Sequence, residues 1–382
     1  VTPFAFGSLR ASHSRRSPDA IVVGGGVIGA AVAWSLARAG LAVTLLERGE
    51  LAGQASSAAA GMLAPISESH GEGALLRAGL ASLARFAPLV AELRDASGID
   101  PEWVASGCLR VPADDAEAEA LARRAREEAD LGLTWLDAAE VSGLAPGLAP
   151  AQRARGALFC AREAHVRSPL LTRAFAGAAA VLGARIETGV AVRGLLRDGA
   201  RVCGVATSAG ERPAGLVALC PGAFAAECAA WIGPGVRVPV EPVRGQIVAL
   251  EAPAPRCIVW GRGAYLVPKL DGSLVVGATV ERVGFDARPT AGGVEALLAA
   301  ARRLVPETAG ARFLSASAGL RPDTPDHLPL VGPWPGAPGL VVATGHYRNG
   351  VLLAPLTGQL VADGVLGKGW AEPAFDPARF SA

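Results

Sequence analysis

Three glycines near the start of the chain are spaced for phosphate chemistry. Gly24-x-Gly26-x-x-Gly29 directly follows the apolar run Ala20-Ile21-Val22-Val23 and opens a helical stretch, 27–39. In such a turn Gly24 permits the tight bend and Gly26 lets the backbone approach a pyrophosphate. Gly29 lets the helix pack close to the strand. The helix N-terminus supplies unpaired N–H groups and a partial positive charge for an anion. Glu47 closes a second strand, 41–47. An acid there accepts hydrogen bonds from adenosine ribose hydroxyls and repels a 2′-phosphate. Strand, turn, helix, strand and terminal acid agree, so the segment predicts a dinucleotide site. A turn built for packing alone would not need the entropic cost of three successive glycines. The motif does not separate FAD from NAD. Arg48, beside the acid, reads either as a cover for the adenine edge or as a solvated charge.

A cationic group stands far along the chain. Arg321 sits in Gly-Leu-Arg-Pro, where Pro322 holds it extended in an apolar neighbourhood. Its guanidinium fork suits a carboxylate, and a structural ion pair is the plainer alternative. Tyr265 is one of two tyrosines and, by pattern alone, a half-buried strand aromatic. The apolar run 340–343 leads through Gly345 to a helix, 351–364, opening near Gly350. Its N–H groups are placed to stabilise negative charge, although an ordinary βα turn looks the same. The histidines at 13, 70, 165, 327 and 346 are scattered, and only His346 lies in this turn. No obvious general base emerges.

The elements that position these groups follow from composition and pattern. The chain has 382 residues, which implies about two domains. Hydrophobic residues at 51% and charged residues at 19% supply a large core and exclude bulk disorder. A net charge of +1 gives no field for nucleic acid or an anionic membrane, so neither is expected as a partner. The uncharged stretch 20–37 is barely long enough to span a bilayer and reads instead as strand–turn–helix. Six cysteines form no CxxC pair, so no metal site is expected and a reducing, cytoplasmic setting is. Residues 1–17, with three arginines and no acid, read as a disordered tail outside the fold; a transit peptide is the alternative. Beyond the first βαβ unit, 74–97 reads as one helix, 190–219 as a strand meander and 238–250 with 264–280 as strand-rich. The fold class is therefore α/β. A Rossmann-like βαβ domain (18–92, 156–234 and 316–382) interleaves with an α+β domain on an antiparallel sheet (93–155 and 235–315).

Several stretches together resemble the glycine oxidases of bacterial thiamine biosynthesis, within the D-amino-acid oxidase superfamily of flavoenzymes. They are Ser56-Ser57-Ala58-Ala59-Ala60-Gly61-Met62-Leu63, Arg244-Gly245-Gln246, Tyr265-Leu266-Val267-Pro268 and Val275-Val276-Gly277-Ala278-Thr279. Ala318-Gly319-Leu320-Arg321-Pro322 and the run from Gly345 to Pro355 complete the set. The resemblance implies FAD, held non-covalently, since no cysteine lies near Arg321 or Arg348. It implies Gly24, Gly26, Val27, Ile28 and Gly29 at the pyrophosphate, and Glu47, Arg48 and Val192 at the adenosine. Ala55, Ser56, Ala60, Gly61 and Met62 would run along the flavin. His346, Tyr347, Arg348, Asn349, Gly350, Val351 and Leu352 would wrap the isoalloxazine. Arg321 and Tyr265 would hold the substrate carboxylate, with Arg348 and Met62 beside the substrate. Val280 stands where glycine oxidases often carry Met, so pocket size differs there. The implied chemistry is hydride transfer from a small amino acid to flavin N5, with O₂ as acceptor, in a homo-oligomer of tetramer type.

Overall fold

The computed structural model describes residues 17–68 and 73–380. The short apolar runs become strands buried on both faces, so the sheet is covered on each side, by helices on one and by the strand meander on the other. A six-stranded sheet has the order Leu330–Pro333, Leu340–Thr344, Leu216–Leu219, Ala20–Val23, Val43–Leu46, Arg185–Glu187. Its pairs are parallel except the outer hairpin joining 330–333 to 340–344. Ala20–Val23 sits where the strand order reverses, with chain leaving to either side. Ligands bind at such switch points, outside the C-terminal strand ends.

The helices Val27–Arg38, Ser168–Val181 and Gly350–Val365 cover one face. They are rich in Ala and Gly because their backbones nearly touch. A Cβ on Gly358 would lie 2.7 Å from the carbonyl oxygen of Ala31. The expected meander forms a three-stranded antiparallel sheet, Val192–Asp198, Arg201–Thr207 and Gly210–Pro213, and then delivers Leu216–Leu219 into the large sheet.

The second sheet has eight strands: Arg312–Asp323, Glu241–Glu251, Ser273–Gly277, Ala264–Pro268, Ile258–Gly261, Cys108–Arg110, Ala157–Cys160 and Leu133–Leu136. It is mostly antiparallel, with one parallel pair between Ile258–Gly261 and Cys108–Arg110. The sequence reading set 156–160 and 316–323 with the first domain, whereas sheet membership puts Ala157–Cys160 and Arg312–Asp323 with the second. The chain thus crosses between the sheets repeatedly.

One expected element divides. The stretch 74–97 is two helices, Ala74–Leu83 and Phe86–Ser97, bent by 48°. The first packs on Gly350–Val365 and the second on Ser168–Val181, so no straight helix could cover both. Pro88 lies in the first turn of the second helix, where its missing N–H costs least. Among the described residues no single helix is long and apolar enough to cross a membrane. The expected N-terminal tail lies outside the described residues apart from Ser17.

Candidate active site

The cradle is built as its glycines predict. Gly24 has φ +110°, and a Cβ there would lie 2.3 Å from the carbonyl oxygen of Cys220. A Cβ on Gly29 would lie 1.9 Å from the carbonyl oxygen of Gly24. Helix and strand therefore meet with no room for a side chain. Gly26 is the N-cap of the helix and offers no capping side chain; instead Val27 N–H donates to Ser56 Oγ at 3.0 Å. The helix's own bonding begins only with Ala30 N–H to Gly26 C=O, which leaves its first turn facing a cavity. Glu47 is pinned beneath the turn, accepting from Gly25 N–H at 2.6 Å and Gly49 N–H at 2.8 Å. Each carboxylate oxygen keeps a lone pair for a ribose hydroxyl.

That cavity, of about 380 Å³, runs from Glu47 to Arg321. At the end by Glu47 it is walled by Arg48, Val192, Phe224 and Trp231. Arg48 lies with its guanidinium carbon 4.0 Å from the Phe224 ring centroid, and Phe285 stacks on Phe224 at 5.3 Å. The arginine expected at the adenine edge is thus a cation held on an aromatic face. Phe224 and Trp231 carried no sequence signal, being brought in by the turn after Leu216–Leu219.

Along the middle run Ala55, Ser56, Ala60, Gly61 and Met62. Gly61 has φ +76°, and its Cβ would lie 2.0 Å from the carbonyl oxygen of Val166. The buried Lys269 ammonium donates to Ala60 C=O at 2.6 Å and Val166 C=O at 3.0 Å, fixing this loop. Burial pushes the Lys269 pKa down to about 7. Val23, Gly24, Gly26, Val27 and Ile28 reach the wall; Gly29 lies behind it.

At the far end the wall holds Tyr265, Arg321, His346, Tyr347, Arg348, Gly350, Val351 and Glu68. Arg321 lies across Gly245 on the neighbouring strand: a Cβ there would fall 2.1 Å from its Nη2. Its Nη1 donates to Thr279 C=O at 2.9 Å. Burial lowers the Arg321 pKa, and no carboxylate is paired with it among the described residues. Burial raises the Tyr265 pKa, against the pull of Arg321 and Arg348. Tyr347 holds φ +45°, uncommon for a bulky residue, with its N–H on Pro322 C=O at 2.7 Å and its ring stacked on His327 at 5.3 Å. Strain of this kind gathers at sites where geometry is imposed. His346 is buried, and its pKa is pushed down to about 3, so the ring is neutral. Its Nε2 meets Thr357 Oγ1 at 2.9 Å, while Nδ1 has no partner among the described residues.

Two expected residues lie elsewhere. Asn349 and Leu352 are outside the cavity wall. Asn349 stands at the N-cap position of the helix Gly350–Val365 without a side-chain capping bond, and the helical turn carries Leu352 into the core, where its carbonyl accepts from Ser82 Oγ at 2.6 Å. Arg348 is present but not free. Its Nε lies 3.5 Å from Glu68 Oε2, and its guanidinium carbon 5.5 Å from the Trp260 ring centroid. Glu68 was missed because one acid at the end of a four-residue helix, Pro65–Glu68, carries no pattern.

The helix is anchored from behind by Glu163, which is fully buried. Its Oε1 accepts from Ile66 N–H at 2.8 Å and Ser67 N–H at 2.7 Å, and its Oε2 from Ser67 Oγ at 2.5 Å. Burial pushes the Glu163 pKa up to about 7, against those three donors. The raised value has a sign. This group's contribution to stability is complete below its ordinary value of 4.5 and is lost as pH rises through about 7. Glu163→Ala strands three donors and should cost at least about 3 kcal/mol, read from urea midpoints, since each unsatisfied buried group costs about 1–3 kcal/mol. Glu163→Gln should flatten the fall in stability between pH 4.5 and 7; an unchanged slope would assign that fall to other groups.

The wall fits FAD: a cradle that any Cβ would fill, an acid for ribose, an aromatic adenine end and helix N–H groups at the other end. No group of three or more metal-ligating side chains occurs among the described residues.

Comparison with known proteins agrees. Residues 19–364 match the family described as DAO, FAD dependent oxidoreductase. The chain is 39% identical to the glycine oxidase of Geobacillus kaustophilus (strain HTA426) over 368 residues, 95% of this chain and 96% of that one. It is 34% identical over 351 residues to the bifunctional protein ThiO/ThiG of Nostoc sp. (strain PCC 7120), 90% of this chain and 52% of that protein. The crystal structure of glycine oxidase from Geobacillus kaustophilus matches with a TM-score of 0.89 at 38% identity, covering 95% of this chain and 98% of that one. A dinucleotide cradle, a cavity ending on a guanidinium and near full-length likeness lead to one assignment: the chain is an FAD-dependent amino-acid oxidase and belongs to the DAO family of FAD-dependent oxidoreductases.

Proposed function

We propose that the protein carries out oxidative deamination of glycine and other small amines, such as sarcosine and small D-amino acids. The observation behind this is that the dinucleotide cradle and the Arg321–Tyr265 pair share one cavity. The cradle at 24–29, Glu47 and the turn at 346–351 would hold FAD, which when bound would supply a two-electron acceptor for the substrate Cα hydride and, with O₂, a route to H₂O₂. Arg321 grips the carboxylate with a fork that has no competing acid partner among the described residues. The Tyr265 hydroxyl, kept protonated by burial, donates to the same group. With the carboxylate fixed, Cα is oriented and the amine lone pair forms the C=N bond as the hydride leaves. No general base is needed once the amine is neutral, and the neutral His346 cannot act as an acid near pH 7. The imine is hydrolysed by water to a 2-oxo acid and ammonia, or delivered to the thiazole of thiamine.

FAD is held non-covalently in this reading. The cysteines in the wall, Cys220 and Cys228, lie at the cradle and adenosine ends, with burial pushing both thiols up to about 12. The active form is a cytoplasmic homo-oligomer, taken as a tetramer. The test is an anaerobic panel of glycine, sarcosine, D-alanine and larger amines, scored by bleaching of the yellow flavin band. Absence of bleaching by every small amine sinks the reading. Bleaching in which air then yields no catalase-sensitive peroxide would make the enzyme a dehydrogenase serving another carrier.

A further inference from the structure

The charges at the substrate end do not match the plain count of arginines. Two guanidinium groups line it, Arg321 and Arg348, and one carboxylate, Glu68. Arg348 forms an ion pair with Glu68, whereas Arg321 donates to the carbonyls of Arg244 and Thr279, lies beside Tyr265 and has no carboxylate partner among the described residues. Tyr265, Arg321, Arg348 and Glu68 wall one chamber; burial raises the Glu68 pKa against the pull of Arg348 and Arg321, so the charge balance is that with Glu68 ionised, as at pH 8. Among the described residues that wall this end, the sum is one positive charge left uncompensated.

Glu68 is held in place rather than left to swing. It ends the helix Pro65–Glu68, whose first N–H groups are clamped by Glu163, and Arg110 and Arg124 donate to the carbonyls of Ser67 and Ile66. Its carboxylate side chain is 18% exposed. A substrate with one carboxylate satisfies Arg321 and leaves the Arg348–Glu68 pair intact. A second carboxylate on the same molecule would have to take Arg348 from Glu68 and would bring two anions together in a partly desolvated space. Like charges forced together at an interface discriminate between partners more than they weaken the right one.

We infer that Glu68 is a specificity-determining residue: by occupying Arg348 it restricts the site to amines bearing a single carboxylate and turns away dicarboxylic ones. This rests on the carboxylate role proposed for Arg321. It adds that the second arginine of the chamber is masked by design of the pocket, and that removing one negative charge would open the enzyme to dianionic amines.

Binding of unreactive analogues tests this without turnover. Diglycolate carries two carboxylates about an ether oxygen; its monoamide has the same size and one charge. Both are titrated into the FAD-loaded enzyme at pH 8, and Kd is read from perturbation of the oxidised flavin spectrum. The wild type should bind the monoamide at least about tenfold more tightly than diglycolate, the size of effect expected for one charge at contact range in a partly screened site. Glu68→Gln, which keeps shape and removes charge, should bring that ratio to within about twofold, and Glu68→Asp should keep it. A purely structural role for Glu68 would move both constants together. An unchanged ratio in Glu68→Gln therefore overturns the inference. If that variant loses its flavin, the wild-type ratio decides, and equal affinities overturn it. Failure of glycine to bleach the wild type would instead sink the proposed function, which the binding ratio does not measure.

Discussion

Replacing Arg321 by alanine is expected to lower kcat/KM for a small amino acid by about 10²–10³-fold while FAD stays bound, because truncating one side of a buried charge pair costs about 3–5 kcal/mol. The size follows from where the guanidinium lies. It is held over Gly245 and donates to the carbonyl of Thr279, so its position is set before substrate arrives. Without it, a carboxylate entering the chamber would be desolvated with no cation to meet it, since Arg348 is engaged by Glu68. Arg321→Lys should recover only part of the loss. An ammonium offers one point of charge where the fork offers two parallel bonds, and it would not span Gly245 in the same way. Steady-state kinetics with the flavin content measured on the same sample checks both. A loss under threefold for the alanine variant removes Arg321 from the carboxylate role.

The second large effect lies at the cradle. Gly29→Val should yield protein that purifies without yellow colour, with FAD affinity reduced at least about a hundredfold, or roughly 3 kcal/mol. The new Cβ would fall 1.9 Å from the carbonyl oxygen of Gly24, and Gly24 cannot retreat, being itself closed in by the carbonyl of Cys220. The helix Val27–Arg38 would have to lift away from the strand, yet it is trapped beneath Ser168–Val181 and Gly350–Val365. Its N–H groups would then miss the pyrophosphate. Gly143→Ala, where a Cβ meets nothing within 4 Å, serves as the control and should stay yellow. Titration of each apoprotein with FAD gives the comparison; an affinity within tenfold of wild type for Gly29→Val would mean that helix position matters little.

The first βαβ unit was legible in the sequence because everything that defines it is local. Gly24, Gly26, Gly29 and Glu47 lie within one βαβ unit, and their chemistry depends on backbone geometry that nearby residues set. The turn from Gly345 into the helix at Gly350 and the Arg321-Pro322 pair were legible for a similar reason: each is a short run whose residue types favour a particular backbone. What the sequence could not show is which distant groups meet. The pairing of Arg348 with Glu68 joins residues 280 positions apart, and neither carries a pattern that names the other. The division of 74–97 came from two different helices waiting on either side of the bend. Leu352 lies in the core, which a linear motif could not show: such a motif treats every member alike, while a helix turns each successive residue by about 100° and sends only some toward a ligand. By itself the sequence determined a dinucleotide cradle and pointed to Arg321 as a candidate for a carboxylate. Only the tertiary structure decided which arginine remains free to use, because net charge in a pocket is a property of neighbours in space.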